Sequence, residues 1–223
     1  MPVNAKAVKS LFSCFAFTII LAAASCTIVK IGDTDLAMST AAQKAAGTQS
    51  FDPKAYAKEN WAKIETEILG QPADLRELVA GLREKPEAAN EKYGKRKDVT
   101  ALYNYIVAGK AKVVSVNTES SAGYLEIDIP DISGKEKVKI QIGPVYKTTS
   151  IRDALAFVKF GDFINQVDFA NVAKEINFYV RDNVVTGLDT ANLAGKQISF
   201  VGAFTEDSTG TILITPVQIG VQK

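Results

Sequence analysis

The sequence predicts an α+β fold: a five-stranded β-barrel with an N-terminal helical pair and an elaborated helical connection between strands 3 and 4. Three features of the hydrophobic pattern predict it. Apolar residues recur at helical spacing over 52–85, alternate from Tyr103 onward, and return to a helical stripe over 168–180 before two last β-rich runs.

Phe51-Asp52-Pro53 opens the first helix. Asp52 offers a side-chain oxygen as a cap, and Pro53 suits the first helical position, where no backbone donor is needed. Ala57, Trp61, Ile64 and Ile68 fall on one face, which makes Trp61 a core residue rather than a ligand platform. Gly70 and Pro72 end the segment. Asp74 caps a second helix with Glu77 three residues on, and Leu75, Leu78, Val79 and Leu82 form its inner face. Two short amphipathic helices in succession predict an antiparallel pair. After Pro86, Lys92, Lys95, Arg96 and Lys97 surround Tyr93 and Gly94. Glu87, Glu91 and Asp98 dilute that charge, so the stretch reads as a solvated turn in preference to a basic patch for anionic lipid or polysaccharide.

Residues 113–116 and 124–129 are β-rich, with 117–123 as the turn between them. Asp131, Ser133 and Gly134 make a second turn before the alternating run 138–142, which Gly143-Pro144 stops. A short helix is expected over 152–158, then an aromatic-rich stretch around Gly161. Asp168 caps a helix carrying the stripe Phe169, Val172, Ala173, Ile176 and Val180. Strands at 197–204 and 211–219 close the chain, and Pro216 marks an edge or a bulge in the last. This order, three strands, a helix and two strands, is that of the OB-fold, a small partly open barrel. The 52 residues from Pro144 to Gly195 exceed what one connecting helix requires, so the connection carries an elaboration.

The N-terminus has the layout of an export signal: Lys6 and Lys9, then an apolar run over 11–24 too short to span a bilayer comfortably. Leu21-Ala22-Ala23-Ala24-Ser25-Cys26 resembles a bacterial lipobox, with cleavage before Cys26 and lipidation of its thiol. Cys14 is a poorer choice, because only residues 10–13 separate it from Lys9. Thr27 after the cysteine leans towards an outer-membrane destination. The expected organisation is a signal peptide over 1–25, a tether over 26–50 with one candidate strand at 28–31, a helical layer over 51–98 and the barrel domain over 99–223.

Composition excludes several functions. The peptide before Cys26 carries two lysines and no acid, so the mature chain has 24 basic against 25 acidic residues and lacks the electrostatic footprint of a nucleic-acid binder. The chain has no histidine, and its two cysteines are Cys14 and Cys26. That removes Ser/His and Cys/His nucleophiles and the zinc-protease histidine pairs. No calcium-loop pattern is present, and no metal or cofactor is expected.

The polar residues that punctuate the apolar connection are Arg152, Asp153, Asp162, Asn165 and Gln166. Converging at the barrel mouth, they would hold a small polar ligand such as a sugar, the Arg and a carboxylate gripping it and Asn and Gln orienting it. Alternatively Arg152 pairs with an Asp inside the fold and Asn165 caps or turns the chain. The second reading is favoured, because buried polar groups usually satisfy one another. Asp153 and Asp162 as a glycosidase pair would need a separation that sequence does not give. The expected function is a membrane-anchored, non-enzymatic binding or accessory module, with a direct binder of a small polar ligand as the alternative and a carboxylate-based hydrolase as a third reading.

Gln141-Ile142-Gly143-Pro144-Val145, Arg152-Asp153-Ala154, Phe160-Gly161-Asp162-Phe163-Ile164-Asn165-Gln166, Gly195-Lys196 with Gly202-Ala203-Phe204, and Ile212-Leu213-Ile214-Thr215-Pro216-Val217 together resemble the DUF2291 family of predicted periplasmic lipoproteins. The likeness extends to Phe51-Asp52 and Lys92-Tyr93-Gly94. The family is biochemically uncharacterised and gives no catalytic residues to carry over. Its genes often stand beside sugar ABC importers, which implies importer components as partners.

Overall fold

A computed structural model describes residues 51–132, 136–207 and 209–222. The signal peptide, Cys26, the tether and its 28–31 segment lie outside the described residues, as do Ser133 and Gly134 of the second turn.

Helix α1 (Pro53–Gly70) begins as its sequence dictates. The Asp52 carboxylate accepts from the N–H groups of Lys54 at 2.9 Å and Ala55 at 3.0 Å, and Ala57, Trp61, Ile64 and Ile68 are buried. The cap satisfies donors that no helical carbonyl can reach. A two-residue strand β1 (Ala73–Asp74) follows, then α2 (Leu75–Glu84), capped by Asp74 through Arg76 N–H at 2.9 Å, and α3 (Pro86–Tyr93). The helices α1 and α2 are present, but α2 packs mainly on α3. The cause is β1, which pairs in parallel with Val107 and Ala108 of the barrel and fastens the chain there between the two helices. The basic stretch expected as a solvated turn starts in the last residues of α3, Lys92 and Tyr93, and continues as a turn through Lys95, Arg96 and Lys97. The single buried residue of α3, Ala89, leaves no apolar period to read. Glu77 joins the two helices, accepting from Tyr93 Oη at 2.5 Å and Lys92 Nζ at 3.2 Å.

The barrel strands are β2 (Asn104–Asn117), β3 (Ala122–Asp128), β4 (Lys137–Pro144), β5 (Gln197–Thr205) and β6 (Thr211–Val221). Neighbours run β2-β3-β4-β6-β5, and β5 pairs back onto β2, so the sheet closes. The β4–β6 contact is parallel and the other barrel contacts are antiparallel. Closure leaves no barrel edge to template aggregation. Strand β2 is much longer than its 113–116 signal, because residues 104–112 pair with β5 before residues 112–117 pair with β3. Pro216 sits at a bulge: Val201 faces Gln218 while Gly202 faces Pro216, leaving Val217 extra. Only glycine fits opposite it, since a Cβ on Gly202 would collide with the Thr215 carbonyl and stand 2.9 Å from Pro216 Cα.

The connection holds α4 (Ser150–Ala154), a 3₁₀ turn over Phe160–Asp162, and α5 (Gln166–Val180), which runs into a π-helical turn at Arg181–Val185. Asn165, not Asp168, caps α5: its Oδ1 accepts from Asp168 N–H at 2.9 Å. The helix starts earlier than its stripe because Gln166 and Val167 are exposed. Val172, Ala173, Ile176 and Val180 are buried as expected, and Trp61 of α1 stacks on Tyr179 at 4.4 Å between ring centroids. Thus α1 packs mainly against α5. Residues Phe51–Lys223 form one compact unit, and one core runs from the barrel, with Tyr105, Leu125 and Phe200, out to Ile151 and Ile176 of the connection.

A buried polar cluster fastens the connection to the barrel. Gln141 of β4 donates to Thr215 Oγ1 at 2.7 Å and Thr148 Oγ1 at 3.1 Å, and accepts from Lys147 N–H at 2.8 Å. Ser150 donates to the Ala203 carbonyl at 3.0 Å, and Asn177 of α5 donates to the Thr148 carbonyl at 2.8 Å. Each group finds a partner, which is what makes such a cluster tolerable in a low-dielectric interior.

Candidate functional site

Two segments far apart in sequence border a groove of about 860 Å³: residues 94–103, which lead from α3 into the barrel, and residues 153–169, which lead from α4 into α5. Lys97 holds the two together. Its Nζ donates to the carbonyls of Leu155 at 2.5 Å and Val158 at 2.6 Å. Burial pushes its amine below the ordinary lysine value. Tyr103 lines one wall with the Arg96 guanidinium 4.8 Å from its ring centre, and Phe160 and Phe169 line the other, their centroids 5.4 Å apart in an edge-to-face contact.

The groove region is unusual in its apolar exposure. Among the described residues eight large hydrophobic side chains are exposed, and five of them, Val99, Leu102, Phe160, Ile164 and Val167, belong to these two segments. Scattered exposed apolar residues are ordinary, whereas a gathered set marks an interaction surface.

The polar residues singled out in the sequence are divided. Arg152 and Asp153 are brought together: Arg152 Nε donates to Asp153 Oδ1 at 2.8 Å, Nη2 lies 2.7 Å from the same oxygen, and Nη1 donates to the Phe169 carbonyl at 3.0 Å. The guanidinium also lies 3.8 Å from the Phe169 ring centre, and the other Asp153 oxygen accepts from Thr149 Oγ1 at 2.5 Å. Arg152 is buried and its donors are largely spent on the fold. Asp162 is exposed and accepts from Lys159 N–H at 3.2 Å, closing the 3₁₀ turn. Asn165 is the α5 cap, and Gln166 is exposed at the first helical position. Of the five, Asp153 alone lines the groove. The groove residues that sequence reasoning passed over, Lys97, Tyr103, Phe160 and Phe169, carry no shared motif. Their signal is weak: Lys97 lies in the basic stretch and Phe160 in the aromatic one.

Residues 16–220 match the family model described as predicted periplasmic lipoprotein, DUF2291. The chain belongs to this family. DUF2291 membership makes it an exported lipoprotein of the periplasmic side of the cell envelope, associated with a membrane. The chain is also similar to the crystal structure of an OB-fold protein from Thermotoga maritima, at 25% identity and a TM-score of 0.62, over 78% of this chain and 100% of that one. That likeness agrees with the closed five-stranded barrel. No functionally curated protein matches the sequence.

Proposed function

We propose that this DUF2291 protein is a membrane-tethered, non-enzymatic accessory module of solute uptake, and that the groove between residues 94–103 and 153–169 is where it meets its partner. The observation that carries this reading is the set of exposed apolar side chains on the two segments that border the groove: Phe160 in its wall, and Val99 and Leu102 in the segment that supplies Asp98 and Tyr103 to the other wall. Aromatic and aliphatic anchors with a few cations at the rim are what protein interfaces use. The uptake process is the one that the family's gene neighbourhood suggests. Asp153 is held by Arg152 and Thr149, so its bonds serve the fold before any hydrolysis.

Affinity purification of the tagged, lipidated chain from solubilised membranes, followed by mass spectrometry, tests the proposal. Recovery of an importer permease or solute-binding protein, lost with Leu102→Asp, is the expected result. Recovery of nothing specific by a folded, lipidated chain would overturn it.

The second reading is a direct binder of a sugar or similar polar ligand, favoured by the Tyr103 and Phe160 rings on the groove walls. It predicts that a sugar panel raises the melting temperature of the protein, and that Tyr103→Ala abolishes the rise.

A further inference from the structure

We propose that the ridge formed by Phe160, Ile164 and Val167 seats on the surface of the bilayer that carries the lipid anchor, so that the body rests on the membrane in one orientation. The inference rests on the reading of Cys26 as lipidated.

Phe160, Ile164 and Val167 are 54%, 62% and 57% exposed, three large apolar side chains within eight residues. A run of this kind loses free energy in water and regains it in a hydrocarbon boundary. The chain from the anchor enters the body beside the same ridge. Phe51, the first described residue, has its ring 5.4 Å from that of Phe163, which lies between Phe160 and Ile164 in sequence, and Tyr56 is 5.6 Å from Phe163. Only 24 residues separate Cys26 from Phe51. That length of chain reaches at most about 85 Å. A surface next to the entry point is thus held at high effective concentration against the lipid, where even a weak contact is populated.

Charge is consistent with apolar seating and not with electrostatic adhesion. In the stretches that carry the ridge and the chain's entry, Asp52, Asp162 and Asp168 offset Lys54 and Lys159, and along the groove that Phe160 borders Asp98 and Asp153 stand with Lys95, Arg96 and Lys97. The ridge therefore needs no anionic lipid, unlike a polybasic membrane patch. Among the described residues no helix is long and apolar enough to cross a membrane, so the contact is interfacial. With the ridge at the lipid surface, the groove that Phe160 borders opens beside the membrane, within reach of an integral partner.

The test uses the full lipidated chain in phosphatidylethanolamine–phosphatidylglycerol vesicles doped with brominated phosphatidylcholine. Phe160→Trp and Ile164→Trp place a fluorophore on the ridge, and Val114→Trp places one at a similarly exposed site on β2. The native Trp61, buried against Tyr179, supplies a constant baseline. Bromine is expected to quench both ridge tryptophans by about two-fold and to leave the Val114→Trp protein almost unchanged, since interfacial seating buries side chains at the headgroup and acyl boundary. A chain that floats with the vesicles but shows equal, weak quenching at all three positions overturns the ridge. So does a blue shift at Phe160→Trp without quenching, which means that a second copy or another protein covers it. A chain that fails to float shows that the anchor reading itself has failed.

Discussion

The two faces of the connection between β4 and β5 are built on opposite principles. On the barrel side, Gln141, Ser150, Asn177 and Thr215 are buried, and with the half-buried Thr148 they are satisfied by one another or by backbone. On the groove side, Val99 and Leu102 are exposed, and Phe160 is half-exposed although its ring meets Phe169 edge to face. Polar groups inside and apolar groups outside reverse the usual arrangement. The first set serves cohesion and the second serves contact, so substitutions in the two should separate stability from binding.

The largest effect is expected where the two faces meet. Arg152→Ala leaves the Asp153 carboxylate partly buried without its cation and removes the bond to the Phe169 carbonyl. A loss of about 3 kcal/mol is expected, read from denaturant midpoints. An unchanged midpoint would mean that Arg152 is free for a ligand after all. Gln141→Leu should cost about 2 kcal/mol, because Lys147 N–H loses its side-chain acceptor and two threonine hydroxyls are left with one another and Ser150, with membrane partners still recovered by whatever folds.

Lys97→Met sharpens the comparison through pH. The folded-state value of Lys97 lies below the unfolded one, so the unfolded chain binds the extra proton between the two. Wild-type stability should rise with pH across the window from the lowered value up to the ordinary lysine range, and the variant should lack that rise. Parallel stability profiles of the two proteins between pH 8 and 11 would contradict the burial of the amine. The smallest stability effect is assigned to Leu102→Asp, under about 0.5 kcal/mol, since the side chain is exposed. Yet this substitution should reduce partner recovery about ten-fold, as loss of an interface anchor does.

Much of this architecture is legible in the chain. The barrel order follows from alternation and turn residues, and the Asp52 and Asp74 caps and the Pro216 bulge follow from local chemistry. Three features are hidden for physical reasons. The first half of β2 carries Ala108 and Gly109, which have too little side chain to signal a strand, and a Cβ on Gly109 would stand 2.8 Å from the Phe200 ring. Helix α3 buries one alanine, so its periodicity is absent. The α5 cap is displaced because the first turn faces water.

The polar residues of the connection were legible in their structural role, with Arg152 paired and Asn165 as a cap. The groove was not. Its walls come from segments some fifty residues apart that only Lys97 and the fold bring together, and exposed apolar residues follow no period.

The most direct test is site-specific photo-crosslinking in intact cells, with the reactive residue at exposed Leu102, next in the chain to the groove residue Tyr103, or at Val114 on β2 in the lipidated chain. The account predicts an adduct with an importer component at Leu102 and none at Val114. Equal labelling at the two sites, or no adduct at Leu102 in a folded and membrane-anchored protein, would contradict it.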